Sequence, residues 1–418
     1  MKKIGFLFFT ILIISTGSCK KDTPNNETKK SDKKELLSFY FKEQLDSAAI
    51  DKVNHTVTIF VSNSTNLKKL SPTIMISEGA TIKPNSKDSV DFSGNPIIYT
   101  VTAEDNSIQT WKIIVNIIII PKLYKKSVSS IVVDNSNIMW IGTDSGLYKG
   151  IDTTFSKVDI AIIGAISSLS YDKSSNTLWI GSISGLFKGS IDGSTLTITT
   201  ISTNKLSSSS ILTTYIDSSQ RNWFGTSVGF TLNYKDYWKN DTFRVNTLGH
   251  VFPMSIEGTS INSIASWDGD YYFATNTSSL YRAYNFVDSV DAFSGATQWE
   301  SAENGKAISP TMYVVFVDSK GRQWMGGTNG IQAHTGHNSK TNAVVYQDEL
   351  PDLNVHAVAE APNGDIWVGT EKGIAIFNGT SWTTKTTNLA NLFVTAIAFN
   401  KDGNAWIGTK KGLTLLSK

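Results

Sequence analysis

The sequence is short of several things, and each shortage excludes something. Cys19 is the only cysteine in 418 residues, so no intramolecular disulfide can pin the fold. Arginine occurs four times, as Arg221, Arg244, Arg282 and Arg322, too few for a mechanism built on an arginine cluster. Charge of one sign is also missing. Thirty-eight basic residues against 36 acidic ones leave a net +2, without the concentrated basic face of a general nucleic-acid binder, and no nucleic-acid partner is expected. The leading apolar run, Ile4 to Ser15, is about twelve residues, short of the roughly 20 that a spanning helix needs. His334 and His337 form a His-x-x-His pair with no third histidine nearby and no second cysteine. Structural zinc takes four ligands and catalytic zinc three plus water, so the pair reads as a polar strand end, and neither metal nor cofactor is expected.

What is present begins with a leader. Met1-Lys2-Lys3, the apolar run and the small residues Thr16-Gly17-Ser18 have the order of a secretory signal. With Cys19 directly after them, they resemble a bacterial lipoprotein signal. That resemblance implies cleavage after residue 18, acyl chains on Cys19 and attachment to the membrane through this lipid anchor, since several chains hold where one is marginal. Residues 19–34 carry no large apolar side chain and cannot bury enough to order themselves, so they read as a flexible tether. No aspartate follows Cys19 directly, which resembles outer-membrane lipoproteins. Lys20-Lys21-Asp22 resembles a surface-export tether. The expected location is the cell envelope, on the outer membrane.

Residues 35–120 alternate short apolar runs with turn signals. Thr56 to Val61, Thr73 to Ile76, Ile97 to Thr102 and Thr110 to Ile117 are strands by β-branched content and alternation. Ser77 to Ala80, Ser93 to Pro96 and Glu104 to Asn106 are turns. The spacing predicts a β-sandwich. Trp111 falls within a strand, which favours a core role over a ligand platform. Lys69 to Thr73, Glu78 to Pro84 and Tyr99 to Asp105 resemble the Ig-like module that follows the tether in bacterial surface lipoproteins. The resemblance implies a spacer or part of a binding assembly.

From residue 121 to 418 one phrase recurs seven times: an apolar strand, a turn, Trp-Ile-Gly-Thr, then Gly-Leu. The tryptophan position is held by Trp140, Trp179, Trp223, Tyr272, Trp324, Trp367 and Trp406. A period of 40–50 residues with several strands per unit means a propeller, so the fold class is all-β: a seven-bladed β-propeller preceded by a small Ig-like β-sandwich. The last unit stops after its third strand, and Lys122 to Lys126 is expected to supply the missing outer strand, closing the ring and covering an edge. The repeats resemble the propeller repeats in the sensor regions of hybrid two-component regulators, which implies a periplasmic-type setting and recognition of polysaccharide fragments. Direct signalling is not expected, because no kinase or second repeat block follows.

The turns Asp318 to Gly321, Asn363 to Asp365 and Asp402 to Asn404 carry the residues of tight hairpins and are read as turns rather than calcium loops. Six glutamates are scattered over the propeller and no carboxylate pair stands out for glycoside cleavage. The arginine triad of a sialidase is absent. A lyase using scattered His and Glu stays open as an alternative.

Aligning the innermost strands on the turn residue places an apolar side chain first in every blade (Val128, Ile166, Ile211, Ile261, Met312, Val355, Val394) and a mostly small one two residues later. The residue between varies: Ser129, Ser167, Leu212, Asn262, Tyr313, His356, Thr395. Alternation sends this column to a different face from the small one, near the entrance of the central channel. Asn262, Tyr313 and His356 are its candidate ligand residues. Two insertions, Asn233 to Ser260 and Ala283 to Pro310, lengthen the connections into blades four and five. Long loops on a rigid scaffold often carry function, so Trp238 and Trp299 join the candidates, with packing of these aromatics onto the ring as the alternative. The function expected is non-catalytic binding of a polysaccharide or oligosaccharide at the loop face. Scaffolding with an outer-membrane protein partner is the alternative beside a propeller-type lyase.

Overall fold

The computed structural model describes residues 29–45, 47–94, 96–118, 123–160, 164–193, 195–235, 237–240, 242–247, 250–255, 259–276, 280–287, 292–299, 311–335, 343–387 and 389–416. Cys19, the leader before it, most of the tether and His337 lie outside the described residues. The chain divides into two compact units. One comprises 1–41, 50–57 and 68–113, the other 42–49, 58–67 and 114–418.

The N-terminal strands form two sheets. Leu36–Tyr40 pairs antiparallel with Thr73–Ile76. A second sheet has the order Ala49–Asp51, Thr56–Ser62, Ile108–Ile118, Ile97–Thr102, Thr81–Lys83. Thr56–Ser62 alternates buried and half-buried residues throughout, the signature of a strand with one face on a core. Tyr99 lies opposite Trp111 in the register, and both are fully buried. Phe39, Phe41, Phe92 and Tyr99 meet edge to face at 5.0–5.6 Å, a favoured geometry for aromatic rings. Trp111 is thus a core residue.

The remaining strands make a seven-bladed propeller. Blade one is Val128–Val133, Met139–Thr143, Gly146–Ile151 and Thr154–Lys157, hydrogen-bonded in sequence order. Blades two, three, five and six repeat this four-stranded plan. The innermost strands Val128–Val133, Ile166–Asp172, Ile211–Ile216, Ile261–Trp267, Met312–Val317, Val355–Glu360 and Val394–Phe399 each neighbour the next, and the last neighbours the first. The ring is therefore closed.

Two sequence positions explain how the blades fit. The first residue of each inner strand is buried to 3% exposure or less, an arrangement worth about 1.5–3 kcal/mol per side chain. Each packs on the repeat glycine of the preceding blade. A Cβ on Gly142, Gly181, Gly326, Gly369 or Gly408 would lie 2.4–2.7 Å from the side chain of Ile166, Ile211, Val355, Val394 or Val128 respectively. On Gly225 it would lie 2.6 Å from the Ile261 carbonyl oxygen. Blade four carries Ala274 instead, beside Met312, whose unbranched side chain can shift to make room.

The turn residue after the inner strand has a second role. Asp134, Asp217 and Asp318 accept backbone N–H groups two and four residues on through Oδ1. Through Oδ2 they accept the indole N–H of Trp140, Trp223 and Trp324 at 2.9–3.0 Å. Asp217 and Asp318 also hold Arg221 and Arg322, so two of the four arginines are spent inside blades. These aspartates serve turn and core, and among the described residues no group of three or more His, Cys, Asp or Glu could hold a metal ion.

Three expectations change. Blade seven has three strands, Val394–Phe399, Ala405–Thr409 and Gly412–Leu416, but residues 123–125 form a turn rather than an outer strand. Buried Leu123 packs with Trp406 and Leu413, and the Lys125 amide donates to the Lys411 carbonyl, so the blade is covered by a plugged turn. The first insertion is also not a loop. Tyr237–Asn240 is the outermost strand of blade three, and Thr242–Thr247 with His250–Ser255 forms a hairpin. That hairpin joins blade four's outer strand Ala292–Trp299 through Val245 opposite Phe293, making a six-stranded sheet. The second insertion supplies part of the third strand of blade four and all of its outer strand.

Candidate functional site

Each inner strand begins opposite the end of the second strand, as Val128 does opposite Thr143. The strand starts and the loops after Trp-x-Gly-Thr therefore share one end of the ring. At that end every blade has the same irregularity. The register shifts between the first and third residues of the inner strand: Val128/Ser130, Ile166/Ser168, Ile211/Thr213, Ile261/Ser263, Met312/Val314, Val355/Ala357 and Val394/Ala396. The residue left in each bulge is the variable column, Ser129, Ser167, Leu212, Asn262, Tyr313, His356 and Thr395. A bulge re-aims a side chain out of the regular alternation.

In four blades the re-aimed side chain clasps the next blade. Ser129 Oγ donates to the Ile166 carbonyl, Ser167 Oγ to Ile211, Asn262 Nδ2 to Met312 and Thr395 Oγ1 to Val128, at 2.5–2.8 Å. The acceptor is always the backbone of the next blade's first inner residue, and Thr395 applies the clasp across the point where the ring closes. Asn262, a candidate ligand residue, is engaged in this clasp.

Blades five and six carry aromatic residues at this position instead, and Phe393 of blade seven, which keeps its own clasp through Thr395, extends them into a row. The Tyr313 ring stacks on His356 with centroids 4.5 Å apart and 17° between planes. His356 lies 4.7 Å from Phe393, the residue before the inner strand of blade seven. Lys410 Nζ sits 5.1 Å from the Phe393 centroid, within cation–π range. His356 Nε2 is 3.1 Å from Glu371 Oε1. A carboxylate only accepts, so Nε2 carries the proton and donates. Burial pushes the His356 pKa down from its ordinary 6.5, and the hydrogen bond and charge of Glu371 pull it only part of the way back. The imidazole is neutral at pH 7. Beside it, Lys372 Nζ pairs with Asp352 at 2.8 Å. All three rings remain partly exposed, so the patch combines apolar surface with a carboxylate and a cation.

Trp238 and Trp299 are not on this patch. Trp238, on an outermost strand, pairs with Asn233 towards the other end of blade three. It packs on Phe224 and Trp179 at 6.0 and 6.3 Å, with Lys205 Nζ 5.3 Å away. Trp299 lies on the outer strand of blade four opposite Leu280, and its side chain lies outside what is described. Phe393 escaped the column reading, although a signal existed. The residues before the other inner strands are Ser127, Ala165, Ser210, Ser260, Thr311 and Asn354, all small or polar, and Phe393 alone breaks that run.

Residues 36–115 match the family described as SGBP, N-terminal, and residues 349–372 match the two component regulator propeller. No curated protein matches the chain. Among solved structures, the extracellular domain of BT4673 from B. thetaiotaomicron is similar, with a TM-score of 0.52 and 18% identity over 71% of this chain and 39% of that one. The chain thus spans well under half of that protein's length. A streptogramin B lyase gives a TM-score of 0.55 at 15% identity, covering 70% of this chain and 93% of the lyase. Virginiamycin B lyase from Staphylococcus aureus gives 0.54 at 12% identity, covering 70% and 96%. At such identities the likeness is one of fold, a propeller. The propeller fold agrees with the match to the two component regulator propeller, which follows in sequence the segment that matches SGBP, N-terminal.

Proposed function

We propose that the chain is a cell-surface glycan-binding protein that captures polysaccharide or oligosaccharide without cleaving it, at the end of the ring where the inner strands begin. The observation that carries this reading is the row Tyr313–His356–Phe393 with Glu371 and Lys410, set where the clasp gives way. Aromatic surface takes the apolar side of a sugar ring, while carboxylate and ammonium groups exchange hydrogen bonds with its hydroxyls. The SGBP match over 36–115 supports a glycan-associated surface role, and the extracellular setting of the BT4673 domain agrees with it. Cys19 is the lipidation site in this reading, holding the chain to the outer membrane through the 19–34 tether. The domain plan is the sandwich at 35–120 and the propeller at 121–418.

The test is a polysaccharide binding panel on the 35–418 chain, with reducing-end and unsaturated-product assays on each ligand found. Tyr313→Ala should weaken binding about tenfold or more, the value of about 1.4 kcal/mol of lost contact, with little change in melting temperature. No binding to any polysaccharide would sink the glycan reading and favour a protein partner. One observation favours a second reading. His356 and Glu371 stand at 3.1 Å, a spacing suited to proton transfer in a lyase, and turnover lost in His356→Gln would move the chain to that class.

A further inference from the structure

Blades one, three and five follow the plan Asp-x-x-x-x-x-Trp, blade seven has Asn400 at the aspartate's place, and the sharpest departure is at blade six. There Ala361 takes the place held by Asp134, Asp217 and Asp318. The backbone turn is the same: the Ala361 amide donates to the Asp365 carbonyl at 2.8 Å, as Asp134 does to Ile138, Asp217 to Arg221 and Asp318 to Arg322. Only the carboxylate is missing. Its partner in blades one, three and five, the indole N–H of the repeat tryptophan, is left without a protein acceptor on Trp367, which is partly exposed. In place of the carboxylate is a cavity of about 110 Å³, lined by Ala361, Asp365, Trp367, Phe399, Ala405 and Leu416. It lies between blades six and seven at the turn end, away from the aromatic row. Trp367 and Phe399 meet edge to face at 5.4 Å to form its aromatic wall. Asp365 accepts from Asn363 Nδ2 through one oxygen, at 2.9 Å, which leaves the other for a ligand.

We propose that this cavity is a second binding site, taking one neutral sugar unit. The Trp367 N–H donates to a ring or hydroxyl oxygen, Asp365 accepts from a hydroxyl, and the Trp367 and Phe399 rings cover the apolar face. The carboxylate of Asp365 opposes an acidic ligand, so the repeat's own acceptor is replaced by a neutral one. The volume is well below the roughly 300 Å³ where ordinary small-molecule sites begin, so a single terminal unit enters and a chain does not. The site shares the ligand class of the reading above but none of its residues.

The experiment titrates glucose, galactose, mannose and N-acetylglucosamine into the 35–418 chain, followed by tryptophan fluorescence and by proton–nitrogen spectra of the indole N–H groups. At least one sugar should bind and shift the Trp367 indole signal. Trp367→Phe, which removes the donor and keeps the ring, should weaken that binding about tenfold, a hydrogen bond's share. Ala361→Asp, which restores the repeat's acceptor, should abolish it while keeping or raising the melting temperature. Tyr313→Ala should leave it unchanged. Sugar binding that is indifferent to both Trp367→Phe and Ala361→Asp overturns the site. So does the absence of any monosaccharide binding. Polysaccharide binding lost in Tyr313→Ala but kept in Ala361→Asp would leave the reading of the aromatic row intact in either case.

Discussion

Blades one and two and blades five and six put the same bulged strand position to different uses. In the first pair, Ser129 and Ser167 reach across to the next blade's carbonyl, which uses the one proton each hydroxyl can donate. In the second, Tyr313 and His356 turn to each other and to Phe393. The scaffold is the same in both: the bulge, the apolar first residue and the repeat glycine beneath it. A position whose backbone is already settled by packing can be given to hydrogen bonding in one blade and to a surface in another. The ring loses only one clasp bond per exception.

The comparison breaks most severely if the shared scaffold is disturbed. Gly326→Ala places a Cβ 2.4 Å from Val355 Cγ1 and 3.0 Å from Val314 Cγ1. Val355 is fully buried and β-branched and has little rotamer freedom to yield. The expected loss is about 1–3 kcal/mol from overpacking, read as a lower urea midpoint. An unchanged midpoint would mean that the glycine is not what sets the blade spacing. Ser167→Ala removes one clasp bond and should cost about 1 kcal/mol without altering glycan binding. A matching loss of binding would show that the clasped and open halves are not separable. The smallest effect concerns pH. Burial holds the His356 pKa below 6.5, so the unfolded chain takes up its proton first as pH falls. The neutral imidazole's contribution is whole above 6.5 and is lost as pH falls below that value towards the folded pKa. Urea unfolding at pH 7.5 and 5.5 should therefore show a steeper acid loss for the parent than for His356→Gln. Equal slopes would place the imidazole in water.

Much of this was legible in the residues. The Trp-x-Gly phrase counted the blades, and the alignment of Val128, Ile166 and their counterparts marked the buried start of each inner strand. Four sandwich strands fell where β-branched alternation put them. The variable column stood out in the alignment, but what each of its residues does was not visible. Serine at 129 and tyrosine at 313 look equally available in a sequence, because a clasp to a carbonyl 37 residues on depends on how closely the next blade approaches. Trp238 looked like a loop aromatic because the hairpin at 242–255 hides the end of blade three. Lys122 to Lys126 looked like a strand because lysines flanking apolar residues satisfy alternation, whereas Leu123 is buried as a plug.

The sequence by itself determined the repeat, its number and the glycine of the repeat phrase at which blades meet. Those are local properties: steric size, turn chemistry and periodicity act within one blade. Only the tertiary structure decided which bulged residues clasp and which gather into a patch, that Phe393 joins Tyr313 and His356, and that Ala361 opens a cavity beside Trp367. Each of those depends on distances between blades, which are set by packing around the closed ring and have no counterpart in the order of residues along one strand.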